Sequence, residues 1–191
     1  MKLYELLILR RSIRQFKSKS ISREVLEKLV NAARLAPSAA NLQPLEFIVV
    51  DEEEIRGKIF GCLRWAAYIA PQGDPRPGHE PMAYIVILAN TGIKEKGYEY
   101  DAGAAIENMI LTAWEQGIGS CWLLSIERNK IQKILKIPLS YKIDSVLALG
   151  YPDEDPITEI MEDSVKYWKD STGRLHVPKR KLEDIIHFNK F

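Results

Sequence analysis

A single run of apolar residues constrains the fold of this chain more than any other feature of its sequence. Residues 83–89 (AYIVILA) lie in its longest apolar run. That length suits a buried β-strand, whereas a helix that crosses a bilayer needs about 20 apolar residues. The run therefore predicts a strand of a soluble protein and excludes a membrane-spanning helix.

The segments around this strand predict a sheet covered by helices. Strands are predicted over residues 46–51, 84–88, 120–124 and 145–149, and helices over residues 3–9, 22–35, 52–64, 101–116 and 126–137. This order favours an α/β or α+β fold. The polar tail after Pro156 is expected to hold only a short helix, over residues 181–188. No repeat or linker divides residues 1–191, so we expect one domain.

Charge and cysteine content exclude several classes of function. The 27 basic and 26 acidic residues leave a net charge of +1, so no general attraction to nucleic acid or to an anionic membrane is expected. The two cysteines and three histidines lack the spacing of a zinc site, and no metal is expected. Two cysteines in a chain with an ample core are typical of reduced residues, which favours a cytoplasmic location.

The common nucleotide and hydrolase motifs are missing from the sequence. It contains no G-x-G-x-x-G, no phosphate loop, no H-E-x-x-H and no G-x-S-x-G. Hydrolase and P-loop functions therefore lose most of their support.

Two basic clusters are candidates for binding an anion. Arg10, Arg11, Ser12 and Arg14 follow the first helix directly, and guanidinium groups there can form bidentate bonds to a phosphate. Taken alone, a solvated helix end is the favoured interpretation. The cluster over residues 179–181 is extended, which turns its two lysines to one side, although a charged tail explains it as well.

The loop over residues 37–44 (PSAANLQP) is the third candidate. Its small residues allow a close approach to a flat ligand, and its amide side chains can satisfy the polar edge of a heterocycle. An ordinary helix-to-strand connection is the alternative. Trp122, in a predicted strand, is more often a core residue than a stacking platform.

Taken together and in order, these segments resemble the FMN-dependent nitroreductase family. The resemblance lies in residues 10–16 (RRSIRQF), 36–44 (APSAANLQP), 84–88 (YIVIL), 117–123 (GIGSCWL), 148–154 (ALGYPDE) and 176–182 (HVPKRKL). It implies an α+β fold with a central, mostly antiparallel sheet flanked by helices. It also implies a homodimer that binds two FMN molecules in clefts at the subunit interface.

The resemblance further implies a set of cofactor-binding residues and no catalytic side chain. The implied contacts to the flavin phosphate and ring edge are Arg10, Arg11, Ser12 and Arg14, with Lys179 and Lys181 on the phosphate. The loop implied to reach the flavin of the partner subunit carries Pro37, Ser38, Ala39 and Asn41. The strand end implied to lie against the ring is Trp122, Leu123, Leu124 and Ser125.

The function implied by the family is a two-step transfer of hydride. NAD(P)H reduces the flavin at N5 and leaves, and a small electron-poor acceptor such as a nitroaromatic or a quinone then enters the same cleft. Reductive dehalogenation and oxygen-dependent flavin fragmentation use the same fold, but residues 65–81 are short for a dehalogenase lid. A non-catalytic flavin-binding or regulatory module is the remaining alternative.

Overall fold

The computed structural model describes residues 2–191, and the apolar run lies at the middle of its main sheet. The helices are α1 (Leu3–Leu9), α2 (Arg23–Arg34), α3 (Glu53–Phe60), α4 (Tyr98–Glu115) and α5 (Arg128–Ile134). The strands are β1 (Phe16–Lys17), β2 (Leu45–Val50), β3 (Ala83–Asn90), β4 (Gly119–Leu123), β5 (Tyr141–Pro152), β6 (Ile157–Ile160), β7 (Trp168–Lys169) and β8 (Leu175–Lys179). Short 3-10 turns occupy Ala39–Asn41, Ala67–Ile69 and Leu182–Asp184.

The main sheet has five strands, and all of its pairings are antiparallel. Its order is β1-β5-β3-β2, with β4 also paired to β5. β5 is therefore the strand that joins β1, β3 and β4. It has 12 residues, whereas the sequence predicted a strand of only residues 145–149, because the polar ends of β5 hide its extent.

Two apolar cores cover the two faces of this sheet. β3 alternates between them: Ile85 and Ile87 face the core of α2 and α4, while Tyr84, Val86 and Leu88 face the core of α3 and α5. All residues of the predicted run are buried, as a strand covered on both faces requires. The α+β interpretation is thus confirmed.

Several predicted boundaries are confirmed by local chemistry, and others shift. Ser22 caps α2, since its side chain accepts the N–H of Val25. α3 and α5 are shorter than predicted, and α4 begins three residues earlier than predicted, after Gly97 at a positive φ of 75°.

The prediction for the tail is wrong. Instead of one helix over residues 181–188, the tail contains a second sheet, in the order β6-β8-β7, and then only the 3-10 turn Leu182–Asp184. β6 and β8 are parallel, and β7 is antiparallel to β8. The strands have two to five residues, and only Leu175 is buried in them, so they carry almost no apolar periodicity.

No helix within residues 2–191 has the length and apolar character that crossing a membrane requires.

Candidate functional site

The arginine-rich segment leaves α1 and runs beside β4. Ser12 forms a parallel bridge with Ser120, and the N–H of Ile13 donates to the Ser120 carbonyl oxygen at 2.9 Å. Ile13 is completely buried. It fits there because residue 119 is glycine: a Cβ on Gly119 would lie 2.6 Å from Ile13 Cγ1. This close packing holds the segment against the strand.

The arginine side chains of this segment have few partners. Arg10 Nε lies 3.8 Å from a Glu107 carboxylate oxygen, and Arg11 Nη2 donates to Thr158 Oγ1 at 2.8 Å. The Arg14 guanidinium lies 5.3 Å from the centre of the Tyr167 ring. Burial, and then the neighbouring Arg10, lower the pKa of Arg11.

The end of β4 lies beside this segment. Leu123 is buried, while Leu124 is 57% exposed although it is a large apolar residue. The carbonyl oxygen of Ser125 accepts the N–H of Arg64 at 3.0 Å, which ties the strand end to the segment after α3. Cys121, one residue before Trp122, is buried, and burial raises the pKa of its thiol, with the nearby Arg14 lowering it. Arg14 therefore lies next to β4.

The second sheet connects the C-terminal lysines to the same region. Thr158, which binds Arg11, lies on β6 and pairs with Val177 of β8. Lys179 is the last residue of β8, two positions further along, and Lys181 follows it in extended conformation. Both lysines are exposed. The bond from Arg11 to Thr158 thus links the arginine segment to the second sheet, in which β8 carries the basic tail.

The loop over residues 37–41, the fourth predicted group, bonds to α4 and to itself rather than to the arginine segment. In residues 37–41, the N–H of Ala39 donates to Asp101 Oδ1 at 3.1 Å, and Ser38 Oγ accepts the N–H of Gln43 at 3.1 Å. With α2, β2 and α4 the loop lines a groove of about 400 Å³. Within residues 2–191, no hydrogen bond or ion pair joins the loop to residues 10–14.

Sequence reasoning missed two residues that shape the site. Gln15 is 4% exposed; its Nε2 donates to the Asp74 carbonyl oxygen, and its Oε1 accepts both the N–H and the Nε of Arg76. Together with a bond from the Phe16 N–H to the His79 carbonyl oxygen, these contacts fix the loop over residues 71–81. Glu154, the second residue, accepts the N–H groups of Arg14 and Gln15.

Three buried N–H donors of the predicted cofactor residues have no partner within residues 2–191: Arg11 Nε, Arg14 Nε and Trp122 Nε1. Arg14 lies by Cys121 and Tyr167, whereas Trp122 packs on the opposite face of the sheet, towards α2 and α4. Buried donors in folded proteins are nearly always paired, so the two arginine donors are candidates for an acceptor supplied from outside the chain. Arg56 Nε and Trp65 Nε1 are also unpaired in the described chain, outside the predicted site. A group that carries phosphate and carbonyl oxygens, as FMN does, fits this donor set. The described residues form no cluster of three His, Cys, Asp or Glu side chains suited to a metal ion.

Comparison with known proteins identifies the family. The model of the nitroreductase family matches residues 8–151, which is more than half of the chain. A protein of Archaeoglobus fulgidus, provisionally named an NADH dehydrogenase/NAD(P)H nitroreductase, is 37% identical over 153 residues, or 76% of this chain and 83% of that protein. An iodotyrosine deiodinase of Haliscomenobacter hydrossis is 26% identical over 176 residues, with 79% of each chain covered.

A solved structure agrees with the sequence match. The FMN-dependent nitroreductase of Clostridium difficile R20291 superposes with a TM-score of 0.71 at 28% identity, covering 97% of this chain and 98% of that one. The predicted fold and the predicted FMN cofactor are thus confirmed at the level of the family. On the family match and on the likeness of sequence and fold, this chain belongs to the nitroreductase family.

Proposed function

We propose that the chain is an FMN-dependent oxidoreductase that takes hydride from NAD(P)H and passes it to a small, flat, electron-poor acceptor such as a nitroaromatic or a quinone. The observation that carries the proposal is that the buried Nε donors of two neighbouring arginines, Arg11 and Arg14, have no partner in residues 2–191. Bound FMN supplies the hydride chemistry, and the protein supplies binding and orientation. No side chain is assigned as a catalytic acid or base.

The basic residues hold the charged parts of the cofactor. Arg10, Arg11, Ser12 and Arg14 bind the phosphate and the pyrimidine edge, and Lys179 and Lys181 complete the phosphate site. A guanidinium fixed beside the ring stabilises negative charge there without having to reorganise. The unpaired Nε atoms of Arg11 and Arg14 support this assignment.

The strand end forms the wall against the flat ring. Leu123 is buried and fixes the backbone, while the exposed Leu124 offers an apolar surface for a planar group. Trp122 and Ser125 flank these two residues. The loop over residues 71–81, fixed through Gln15, is a rigid boundary of the acceptor cleft rather than a mobile lid.

The working form is a homodimer, in which Pro37, Ser38, Ala39 and Asn41 reach the FMN of the partner subunit. The separation of this loop from the arginine segment of its own chain supports that arrangement. The exposed apolar face of α1 also supports a dimer, because such a face marks an interaction surface. α1 buries only Leu6 and leaves five large apolar residues between 43% and 72% exposed: Leu3, Tyr4, Leu7, Ile8 and Leu9. Phe188 and Phe191 are also exposed and suit an arm that packs on a partner. Residues 1–191 act as one domain in the cytoplasm.

The visible absorption spectrum of the purified protein, before and after anaerobic addition of NAD(P)H, tests the activity. The expected result is a yellow protein whose flavin absorbance is lost on addition of the nicotinamide. A yellow protein that keeps its absorbance is a non-catalytic flavin-binding module, and a colourless protein that takes up no added FMN contradicts the proposal. Light scattering tests the dimer, which a monomer in solution would exclude.

Reductive dehalogenation is a second candidate, because one relative is named an iodotyrosine deiodinase. Iodide release from iodotyrosine by the reduced protein, compared with nitroaromatic reduction at equal enzyme concentration, separates the two reactions. We expect nitroaromatic reduction to be the faster. Oxygen consumption without an acceptor, followed by analysis of the flavin, detects flavin fragmentation.

A further inference from the structure

We propose that Glu154 is a positioning residue of the FMN site, whose carboxylate fixes the direction in which the Arg14 side chain leaves the backbone. The inference rests on the proposed function and deepens it, because it assigns part of the cofactor affinity to a residue that does not touch the cofactor. Glu154 comes just after β5, whereas Arg14 belongs to the N-terminal segment.

The Glu154 carboxylate holds the backbone of residues 13–16, which run from the side of β4 to the side of β5. The N–H of Ile13 donates to the Ser120 carbonyl oxygen at 2.9 Å, and the N–H of Phe16 donates to the His79 carbonyl oxygen at 3.0 Å. Between them, the N–H groups of Arg14 and Gln15 both donate to Glu154 Oε1, the latter at 3.3 Å. Residues 14 and 15 lie where this segment leaves β4 and approaches β5. Their two N–H groups therefore bind a side-chain carboxylate instead of the carbonyl groups of a strand. Bonds to a carboxylate are stronger than neutral ones and suit such a crossing.

The Arg14 side chain has little else to hold it. Within residues 2–191 it forms no ion pair; its guanidinium packs on the Tyr167 ring at 5.3 Å, and its Nε has no partner. Beyond these contacts it lies beside the Cys121 thiol, whose pKa is raised by burial and lowered by Arg14. With so few partners, its position depends strongly on the direction set at its own Cα. A shift of the backbone at Arg14 displaces its guanidinium from the position at which it binds FMN. Binding is then weaker, because part of the binding free energy is lost in ordering the side chain.

Through Gln15, the effect of Glu154 extends to the loop over residues 71–81. The Gln15 side chain binds the backbone of Asp74 and of Arg76, and it is almost fully buried. The same carboxylate thus fixes both an arginine of the cofactor site and the anchor of the loop over residues 71–81.

Three substitutions of Glu154 separate the position of its acceptor oxygen from its charge. Glu154→Gln keeps an acceptor oxygen at the same distance but removes the charge, Glu154→Asp keeps the charge but retracts the oxygens by one methylene, and Glu154→Ala removes both. If Glu154 positions Arg14, the dissociation constant for FMN stays within about threefold of wild type in Glu154→Gln and rises at least about tenfold in Glu154→Asp and Glu154→Ala. Titration of apoprotein with FMN, followed by flavin fluorescence, measures it. Asp155→Asn is the control, since Asp155 is 86% exposed and binds only Arg174.

A second measurement needs no cofactor. Amide hydrogen exchange of the apoprotein should speed up at residues 14 and 15 in Glu154→Asp and Glu154→Ala but not in Glu154→Gln, while Ile13 and Phe16 keep their protection. Unchanged exchange at residues 14 and 15 in Glu154→Asp and Glu154→Ala would overturn the inference. FMN affinity that falls in Glu154→Gln and survives in Glu154→Asp would overturn it as well. If Glu154→Ala does not fold, Glu154→Asp and Glu154→Gln decide. If the wild-type protein does not bind FMN, the proposed function is contradicted. The hydrogen-exchange experiment still tests whether Glu154 holds the backbone at residues 14 and 15.

Discussion

Lys94 Nζ lies 2.7 Å from Asp101 Oδ2, and the two side chains are only 13% and 5% exposed. The other oxygen of Asp101 accepts the N–H of Ala39. One buried carboxylate thus holds the segment before α4 and the loop over residues 37–41. That loop places Ala40 and Asn41 at positive φ angles of 52° and 54°, which are unfavourable for residues with a Cβ and persist only where contacts enforce them.

The first prediction is that Lys94→Met destabilises the protein by about 3 kcal/mol, because it leaves a carboxylate buried without its cation. Lys94→Met/Asp101→Asn should recover part of the loss, since a neutral amide needs no counter-charge and still accepts the Ala39 N–H. Urea unfolding at one fixed protein concentration measures both variants. Lys28→Met removes the exposed pair with Glu115 and, as the control, should change stability by less than about 1 kcal/mol. Equal effects of Lys28→Met and Lys94→Met would contradict the prediction.

The second prediction concerns retention of the cofactor. Arg14→Ala/Lys179→Ala should weaken FMN binding at least about a hundredfold, with the larger share from Arg14, because its donor is buried while Lys179 is exposed. Circular dichroism should show an intact fold. The control variant Arg23→Ala/Lys142→Ala removes the same charges from exposed sites elsewhere and should leave binding unchanged. Flavin that remains bound in the first variant would refute the phosphate assignment.

The third prediction tests the packing that places the arginine segment. Gly119→Ala should destabilise the protein by about 1–3 kcal/mol and reduce FMN binding, because the new Cβ would overlap the buried Ile13. Gly103→Ala is the matched control: no atom lies within 4 Å of its added Cβ, and alanine favours the helix. Thermal unfolding and FMN titration check both variants, and a Gly119→Ala protein as stable as wild type would show that the contact is not tight.

Local patterns in the sequence were sufficient for four of the five strands of the main sheet, but not for the two-residue β1 or for the second sheet. β3 was predictable because seven successive apolar residues form a buried strand whatever their partners are. β6 and β7 were not, because Thr158, Glu159 and Trp168 are exposed or half-buried and owe their strands to contacts with β8. Such contacts between distant residues leave no periodic trace in a single sequence.

The same division holds for the site. Arg10, Arg11 and Arg14 form a recognisable motif, so the resemblance identified them as candidates. Gln15 and Glu154 act through hydrogen bonds to the backbone, which many polar residues can form. No sequence motif therefore predicts their roles. Their roles follow from contacts between distant parts of the chain: Gln15 with residues 74 and 76, and Glu154 with residues 14 and 15.

The last prediction concerns His176, which joins the three strands of the second sheet. Its Nδ1 lies 2.8 Å from a Glu159 oxygen, its Nε2 lies 3.2 Å from an Asp170 oxygen, and its ring stacks on Trp168 at 4.2 Å between centres. The hydrogen bond to Glu159 is the main cause that raises the pKa of His176 above its ordinary 6.5. The bond from Trp168 lowers the pKa of Glu159, and that from Thr172 lowers the pKa of Asp170.

These directions fix the pH dependence of the cluster. A raised histidine pKa gives stability that is fully present below pH 6.5 and is lost as the pH rises through the folded value, while the two carboxylates stay ionised. The melting temperature of wild type should therefore exceed that of His176→Gln by a few degrees at pH 6 and by less at pH 9. His187→Gln, at an exposed histidine without an ion pair in the described chain, should show the same difference from wild type at both pH values. A gap between wild type and His176→Gln that does not narrow at high pH would mean that the His176 ring contributes by packing on Trp168 rather than by its charge.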